Sequence, residues 1–202
     1  KLVGERSPST LIRMDNHALV LMRLDRYAEA LPVFTRALAL SRQVFPQPHS
    51  QTARLEVTTA HALRYLGRFA EARALYEEAL DTARRATGEQ RRPYLIAMRG
   101  LIRLEIDSAR YAEAEQLTRK ALPFAQAVDG GAGHDSLLLQ TSLGEILVLR
   151  RHYAEAEVLL RQPMPTGGVI NADSARTARQ FLAVALSHDG HEAEASRLSR
   201  QI

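Results

Sequence analysis

The sequence contains no cysteine, so neither a disulfide framework nor a thiolate metal site is available to the chain. It also has no segment with the pattern of a signal peptide and no apolar run long enough to span a bilayer. Lysine is nearly absent, since Lys1 and Lys120 are the only two, and the net charge of +4 comes almost wholly from arginine. We therefore expect a soluble, cytoplasmic fragment of a longer protein with no membrane partner. Its mild basicity is only a weak indication of nucleic-acid binding.

A five-residue motif recurs along the chain at nearly constant spacing. It reads Arg-Tyr-Ala-Glu-Ala at residues 26–30 and 110–114, and close variants occupy residues 68–72, 152–156 and 191–195. The second residue of each copy serves as a marker, and the five markers are Tyr27, Phe69, Tyr111, Tyr153 and Glu192. Successive markers lie 42 residues apart three times and then 39. Such a period indicates a repeat architecture, in which each repeat buries its apolar face against its neighbours.

Each repeat is predicted to contain two helices joined by a tight turn before the marker. In the first repeat, Ser7 and Pro8 have the chemistry of a helix start, and a second helix is expected from about Tyr27 to Val44. The apolar face of the first helix is formed by residues at three- and four-residue steps, namely Leu11, Met14, Ala18, Leu21 and Leu24. The predicted organisation is a single domain over residues 1–202, with repeats at roughly 7–48, 49–90, 91–132, 133–170 and 171–202.

One position departs from the repeat. Six residues before the marker, four repeats carry a leucine (Leu21, Leu63, Leu147 and Leu186), whereas the third repeat carries Glu105. A buried carboxylate without a partner is costly. The sequence leaves two alternatives open: the first helix of the third repeat is rotated locally, or Glu105 has an arginine partner.

The repeated motif resembles the tetratricopeptide repeat (TPR), and the resemblance covers essentially the whole chain. The second repeat fits the TPR signature residue by residue, at Ala60, Leu63, Gly67, Phe69, Ala72, Tyr76 and Ala79. The usual TPR has about 34 residues, and the longer period here is similar to the kinesin-light-chain type, which also occurs in bacterial regulatory proteins. HEAT and armadillo repeats share the period but not the Ala-Glu-Ala signature. The resemblance implies an all-α fold, a right-handed superhelical solenoid of about five helix-turn-helix repeats.

The resemblance further implies a concave groove, lined by the first helix of each repeat, that binds peptides or protein segments. The positions expected to face it lie 15, 12, 11, 8, 5 and 4 residues before each marker. Nine of these residues are the predicted partner-binding set: Asn16, Arg54, Thr58, His61, Arg64, Tyr65, Arg99, Arg103 and Glu145. Guanidinium groups match the geometry of carboxylates and phosphates. The predicted ligand is therefore an acidic, phosphorylated or C-terminal carboxylate group of a protein or peptide.

Two observations temper this prediction of a ligand-binding groove. Arg103 has an alternative partner within the chain, because Glu145 is expected on the next repeat. Asn16 stands where the kinesin-light-chain type often carries an asparagine that contacts the backbone of a bound peptide. Its equivalents in the later repeats are Thr58, Gly100, Ser142 and Phe181, so most of that asparagine ladder is missing.

Catalytic and metal-binding chemistry is not indicated by the sequence. The seven histidines are scattered through the repeats. His191 and Glu192 begin like a zinc-protease motif, but Ala195 occupies the place of the second histidine. No nucleophile and base occur at a recognisable spacing. We therefore expect no enzyme activity, no cofactor and no metal.

Three functional classes are compatible with a helical repeat of this kind. The favoured one is a protein-interaction scaffold, as the regulatory part of a larger signalling protein such as a Ser/Thr kinase. The alternative is a domain of a transcriptional regulator that senses a peptide or small ligand. RNA binding would need a regular set of polar and aromatic readers in each repeat, and the row formed by Leu19, His61, Arg103, Glu145 and Val184 has no common chemistry.

Overall fold

The structure is a computed structural model that describes residues 7–87, 92–129, 133–162 and 172–200. Within these ranges the chain forms ten α-helices, two in each predicted repeat, and no strand. The helices are α1 (Pro8–Arg23), α2 (Tyr27–Val44), α3 (Ser50–Tyr65), α4 (Phe69–Thr87), α5 (Arg92–Asp107), α6 (Tyr111–Asp129), α7 (His134–Leu149), α8 (Tyr153–Leu160), α9 (Ala172–His188) and α10 (Glu192–Ser199). The predicted all-α, TPR-like repeat fold is confirmed. None of the described helices is long and apolar enough to cross a bilayer.

The chain divides into two compact units, Lys1–Leu104 and Glu105–Ile202, and the division falls within α5. In the N-terminal unit, α1 packs on α2, α2 on α3, and α3 on α4. In the C-terminal unit, α6 packs on α7, α7 on α8 and α9, α8 on α9, and α9 on α10. Each helix therefore contacts helices close to it in sequence, as expected of a repeat array.

The helix ends follow the predicted local chemistry. Ser7 caps α1, because its side chain accepts a hydrogen bond from the Thr10 amide at 3.2 Å, and Pro8 occupies the first turn. The turn between the two helices of each repeat contains one residue with positive φ, two positions before the marker. These residues are Asp25, Gly67, Ala109, Arg151 and Gly190, with φ between 57° and 84°. Each turn thus uses a left-handed residue, for which glycine carries no steric penalty.

The core is built from small and large apolar residues that alternate between neighbouring helices. In the N-terminal unit, Ala18 of α1 and Ala30 and Phe34 of α2 are fully buried together with Leu55 of α3. The alanines let helix backbones approach closely, and the larger side chains fill the remaining space. Leu24 was predicted on the same buried face of the first helix but is 59% exposed. The chain has left α1 at this residue, which is the C-cap.

The corresponding core of the C-terminal unit lies between α7, α8 and α9. Leu143 and Leu147 of α7 are buried there against Ala156 of α8 and Ala185 of α9. Gly144 brings α7 and α8 closest together, since a Cβ at this position would lie 2.5 Å from Leu160 Cδ2. The second helix of this repeat ends early, at Leu160, as predicted, while the prolines invoked for that end lie outside the described residues.

Glu105 resolves the ambiguity that the sequence left open. It is fully buried, with 0% of its surface exposed, so it occupies the same inward position as the leucines of the other repeats. The helix is therefore not rotated. Arg110 satisfies the carboxylate, because its Nε donates to Glu105 Oε2 at 2.7 Å. Arg110 belongs to the turn after α5, and its guanidinium group remains partly exposed.

Arginine–glutamate pairs connect the second helices along the surface. In the N-terminal unit, Arg42 of α2 donates to Glu78 of α4 at 2.7 Å. In the C-terminal unit, Arg161 of α8 donates two hydrogen bonds to Glu194 of α10, at 2.8 and 2.7 Å. Such exposed pairs contribute little individually. They show that many of the arginines of this chain are engaged with its own carboxylates.

Candidate partner-binding surface

The nine predicted partner-binding residues all lie on first helices. Asn16 is on α1, and Arg99 and Arg103 are on α5. The five residues on α3 are Arg54, Thr58, His61, Arg64 and, at the last position of the helix, Tyr65. These eight residues belong to the N-terminal unit, whereas Glu145 lies on α7 in the C-terminal unit. Asn16, Tyr65 and Arg103 are exposed, and the other six are half-buried.

Arg54 is held within the protein by a buried carboxylate. Its Nη2 donates to Asp15 Oδ2 of α1, and Asp15 is only 3% exposed. Asp15 is also at a position that the resemblance assigns to the groove, yet its carboxylate is buried and accepts the hydrogen bond from Arg54 of α3. Arg54 therefore neutralises a buried charge of the N-terminal unit, and this pair joins the first helices of repeats one and two.

Tyr65 forms the middle layer of a three-layer stack. Its ring lies parallel to that of Tyr27 from α2, with centroids 4.4 Å apart and an interplanar angle of 10°. The Arg64 guanidinium carbon lies 4.3 Å from the Tyr65 centroid, which is the geometry of a cation–π contact. The two faces of the Tyr65 ring are thus covered by different groups, and 52% of the residue remains exposed.

The Tyr27 phenol is fixed by a carboxylate of the preceding turn. It donates a hydrogen bond to Asp25 Oδ1 at 2.6 Å, and this bond, together with the charge of Asp25, raises the pKa of Tyr27 to about 12. The sequence identified Tyr27 as a repeat marker but not as part of the surface around Tyr65. The same contact recurs in the C-terminal unit, where the Tyr153 ring stacks on His188 with centroids 4.1 Å apart.

His61 is a half-buried residue of α3 near the middle of the predicted set. Its ring meets the Tyr76 ring edge-on, with centroids 5.6 Å apart and an interplanar angle of 61°. Burial lowers the pKa of His61 to about 4, and the positive charges of Arg64 and Arg99 add to this effect. The imidazole is therefore neutral at physiological pH.

Gly100 leaves the space on α5 that the buried Tyr76 ring occupies. A Cβ at Gly100 would lie 2.3 Å from Tyr76 Cε1, so no larger residue fits without displacing the ring. This position corresponds to Asn16 and Thr58 in the first two repeats. Thr58 uses its hydroxyl locally, donating to the Leu55 carbonyl at 3.2 Å. Of these three equivalent positions, Asn16 is the one whose side chain is exposed.

The C-terminal unit contains an open cleft of about 960 Å³ between α9 and α10. Its α9 wall includes Gln180, Val184, Ser187 and His188, four of the positions assigned to the groove by the resemblance. The opposite wall is formed by Glu192, Ser196 and Ser199 of α10 and by Arg200, the residue after it. None of the nine predicted residues lines this cleft, because Glu145 lies on α7.

No arrangement for metal chemistry is present in the part of the chain that the structure describes. Among the described residues, no group of three or more His, Cys, Asp or Glu side chains is placed to hold a metal ion. His191, which begins the zinc-protease-like motif, lies 3.6 Å from Glu157 of α8. That distance is compatible with an ion pair if the imidazole is protonated.

Comparisons with known proteins agree with this architecture. A family model described as a tetratricopeptide repeat matches residues 9–85 and 51–127. A putative kinesin light chain from Podospora anserina, with nearly identical TPR-like repeats, gives a TM-score of 0.79 at 19% identity, covering 96% of this chain and 94% of that one. BtubC (BKLC) from P. vanneervenii gives 0.79 at 18% identity, covering 96% and 81%.

A more distant solved structure is the apo form of RapI, with a TM-score of 0.71 at 12% identity. The match covers 92% of this chain and 50% of RapI. At these identities, the solved structures establish a similarity of fold alone. No curated protein sequence gives a significant match to the chain.

Proposed function

The chain belongs to the tetratricopeptide repeat family, and on that premise we propose that it is a protein-interaction scaffold. Its first helices provide the surface that binds a peptide or protein segment. A helical repeat of this family is typically a non-catalytic scaffold, in agreement with the expectation from the sequence. The regulatory role in a signalling protein such as a Ser/Thr kinase, the sensing domain of a transcriptional regulator and the cytoplasmic location stay predictions from the sequence.

The observation that carries the proposal is a contrast between adjacent positions of the first helices. Nine residues before the marker, every repeat has a buried small or apolar residue: Ala18, Ala60, Ile102, Gly144 and Ala183. One position later the residues are Leu19, His61, Arg103, Glu145 and Val184, which are half-buried or exposed and share no chemistry. The first set accounts for packing. The second set differs in chemistry from repeat to repeat, which is what we expect of a surface that determines partner specificity.

The chemistry of the N-terminal unit favours an acidic partner. Among the groove positions on α1, α3 and α5, the carboxylates are Asp15, which Arg54 neutralises, and Asp107 at the end of α5. Arg23, Arg64, Arg99 and Arg103 contribute four further positive charges at such positions. Clustered guanidinium groups attract carboxylates and phosphates and bind them through paired hydrogen bonds.

The proposal is tested by capturing partners from a native cell lysate with the immobilised chain. A variant with Arg99→Glu and Arg103→Glu serves as the comparison, and the double reversal Arg84→Glu and Arg85→Glu on α4 is the matched control. Arg84 and Arg85 are exposed, and both pair with Asp81 on their own helix. We expect mass spectrometry to identify proteins retained by the wild type and the α4 control but lost with the α5 reversal. Equal retention by all three would place the binding surface elsewhere.

A further inference from the structure

Neighbouring repeats of this chain contact one another through the same two positions in both compact units. The marker of one repeat stacks on the residue four positions before the marker of the next repeat. Tyr27 stacks on Tyr65 with ring centroids 4.4 Å apart, and Tyr153 stacks on His188 with centroids 4.1 Å apart. The marker of a repeat therefore indicates a contact position for whatever repeat packs after it.

A second pair of positions joins the second helices of the C-terminal unit. The residue eight positions after the marker is an arginine, and it pairs with the glutamate two positions after the next marker. Arg119 of α6 pairs in this way with Glu155 of α8, and Arg161 of α8 pairs with Glu194 of α10 at 2.7 Å. Repeat five again carries an arginine at this position, Arg200.

The corresponding contact surface of repeat five is the open cleft between α9 and α10. Both of its contact residues, the marker Glu192 and Arg200, line this cleft. Ser199 is exposed there, seven positions after the marker. The other second helices have a buried side chain at this position, namely Phe34, Tyr76, Thr118 and Leu160. Repeat five thus presents the surface on which a following repeat packs, but in a more polar form.

Repeat one presents the opposite surface, the one by which a repeat packs on its predecessor. Seven positions before the marker, Ala62 lies in the core formed with α1 and α2, and Ala185 lies in the core formed with α7 and α8. Both residues are fully buried. The equivalent residue of repeat one, Val20, is 52% exposed. Arg23 and Glu29, at the two polar contact positions of this repeat, are exposed as well.

The two end surfaces have complementary charges. Position by position, Glu192 of one copy corresponds to Arg23 of another, and Arg200 corresponds to Glu29. Among the described residues, no ion pair of Arg23, Glu192 or Arg200 is found. Glu29 accepts hydrogen bonds from Arg26 at 2.6 Å, and a carboxylate has lone pairs for further donors. A second copy of this chain therefore satisfies both charged positions of each end.

We propose that the chain associates head to tail, with α1 and α2 of one copy packed on the cleft between α9 and α10 of another. Val20 then enters the cleft, as Ala62 and Ala185 enter the cores of the repeats before them. This inference goes beyond the proposed scaffold function, because it assigns a partner to surfaces that the first-helix groove does not require. The two surfaces differ, so the contact is heterologous and each dimer keeps one of each surface open.

The end-to-end contact is more polar than the contacts between repeats, and this determines its strength. Arg13 of α1 occupies the position of the buried Leu55 of α3, and the cleft wall presents Ser196 and Ser199. Exposed ion pairs contribute little individually and are screened by salt. We therefore expect the association to be reversible, to increase with protein concentration and to weaken at high ionic strength.

The first test is sedimentation velocity of the purified chain over a concentration series at low salt. We expect Arg23→Glu and Glu192→Arg each to weaken the association by about tenfold, because each replaces an attraction by a repulsion. The α4 reversal, Arg84→Glu and Arg85→Glu, should associate as the wild type does. A wild type that stays monomeric at every concentration would overturn the proposal and leave the polar end surfaces as caps of the array.

The second test mixes the Arg23→Glu variant with the Glu192→Arg variant. Each variant alone places like charges at the contact, whereas in the mixture the reversed end of one variant faces the reversed end of the other. We expect the mixture to associate about as the wild type does, at a concentration where each variant alone is monomeric. A mixture that stays monomeric, with wild-type helicity of both variants by circular dichroism, would refute the head-to-tail contact.

The second charge pair gives an independent check within one chain. Arg200→Glu should weaken the association, and the additional change Glu29→Arg in the same chain should restore part of it. Partner binding and self-association are separated by the α5 reversal, Arg99→Glu and Arg103→Glu. We expect that variant to lose captured partners but to keep its self-association. Loss of self-association in the α5 reversal would contradict a contact made by the two end repeats.

Discussion

At the scale of single residues, buried carboxylates paired with arginines join neighbouring segments of the array. Asp15 is paired with Arg54, and Glu105 with Arg110. Removing one partner of such a pair leaves an uncompensated buried charge, whereas replacing the carboxylate by an apolar residue is often neutral or stabilising. The repeat supplies the apolar alternative for Glu105, because the other repeats have leucine there.

We predict that Arg110→Ala destabilises the protein by about 3 kcal/mol, because the buried Glu105 carboxylate loses the partner at 2.7 Å. Glu105→Leu should instead leave the free energy of unfolding unchanged or raise it. Urea unfolding of both variants and of the double variant measures these values. The decisive comparison is Arg110→Ala in the Glu105→Leu background, where its cost should largely vanish. An equal cost in both backgrounds would mean that Arg110 stabilises the turn through another contact.

Glu56 provides a pH-dependent case. It is 1% exposed on α3, and burial raises its pKa above the ordinary value of 4.5, although Arg42 and Thr82 oppose the shift through hydrogen bonds. A raised folded-state pKa contributes stability that is present below the unfolded pKa and is lost as pH rises through the folded pKa. Ionised Glu56 therefore costs stability at neutral pH.

We predict that Glu56→Gln stabilises the protein relative to wild type at pH 7.5 and that this advantage disappears as pH falls towards 4.5. The glutamine amide keeps an oxygen that can accept a hydrogen bond from Arg42, but it carries no charge, so its burial costs less. Unfolding free energies at several pH values supply the measurement. Glu78→Gln is the control, since Glu78 is exposed and pairs with the same Arg42. An advantage for Glu56→Gln that persists at low pH would exclude ionisation as its cause.

At the scale of helices, two neighbouring helices pack closely where one of them carries a glycine. Gly100 on α5 accommodates the buried Tyr76 ring of α4, and Gly144 on α7 accommodates the Leu160 side chain of α8, at its Cγ as well as its methyl groups. The two glycines differ in the stiffness of what they face. An aromatic ring in a filled core has no other rotamer to adopt, whereas the terminal methyl groups of a leucine can move.

We predict that Gly100→Ala lowers the free energy of unfolding by about 1–3 kcal/mol through overpacking. The gain in helix propensity, about 1 kcal/mol, offsets only part of this cost. Gly144→Ala, the matched control, should cost less because Leu160 can shift. Tyr76→Leu in the Gly100→Ala background should recover part of the loss by removing the ring that the new Cβ meets. Similar costs for both glycine variants would contradict the role given to the Tyr76 ring.

The helices themselves were well predicted from the sequence, because their signals are local. The Ser7 cap and the Tyr27–Val44 helix are found as expected. Apart from the arginine partner left open for Glu105, the partners of charged residues were not predicted, because they depend on the register between helices that are distant in sequence. Arg54 and Asp15 are 39 residues apart, and no local pattern distinguishes this arginine from Arg64 or Arg99. The identification of the nine partner-binding residues as a binding surface stays a prediction.

At the scale of the whole molecule, contacts between helices close in sequence make stability modular. Each repeat supports only its neighbours, so a defect in one repeat should spread no further than the helices packed against it. The division into two compact units, Lys1–Leu104 and Glu105–Ile202, is in keeping with this modular stability. The variable exposed positions of the first helices can therefore change without loss of the fold.

We predict that Leu147→Ala, which removes a fully buried side chain from α7, costs about 2–5 kcal/mol locally. Native-state hydrogen exchange should accelerate in α7, α8 and α9, which pack on one another, while the amides of α3 and α4 keep their wild-type rates. Acceleration of similar size throughout the chain would show that the array unfolds as one cooperative unit.

Binding through the first-helix surface is best tested by the affinity of a purified partner segment, identified by capture, for three forms of the chain. These are the wild type, the α5 reversal (Arg99→Glu and Arg103→Glu) and the α4 reversal (Arg84→Glu and Arg85→Glu), each with its helicity checked by circular dichroism. We expect a loss of at least tenfold in affinity for the α5 reversal, little change for the α4 reversal, and unchanged helicity. Equal affinities for the two reversals would contradict binding through the first-helix surface.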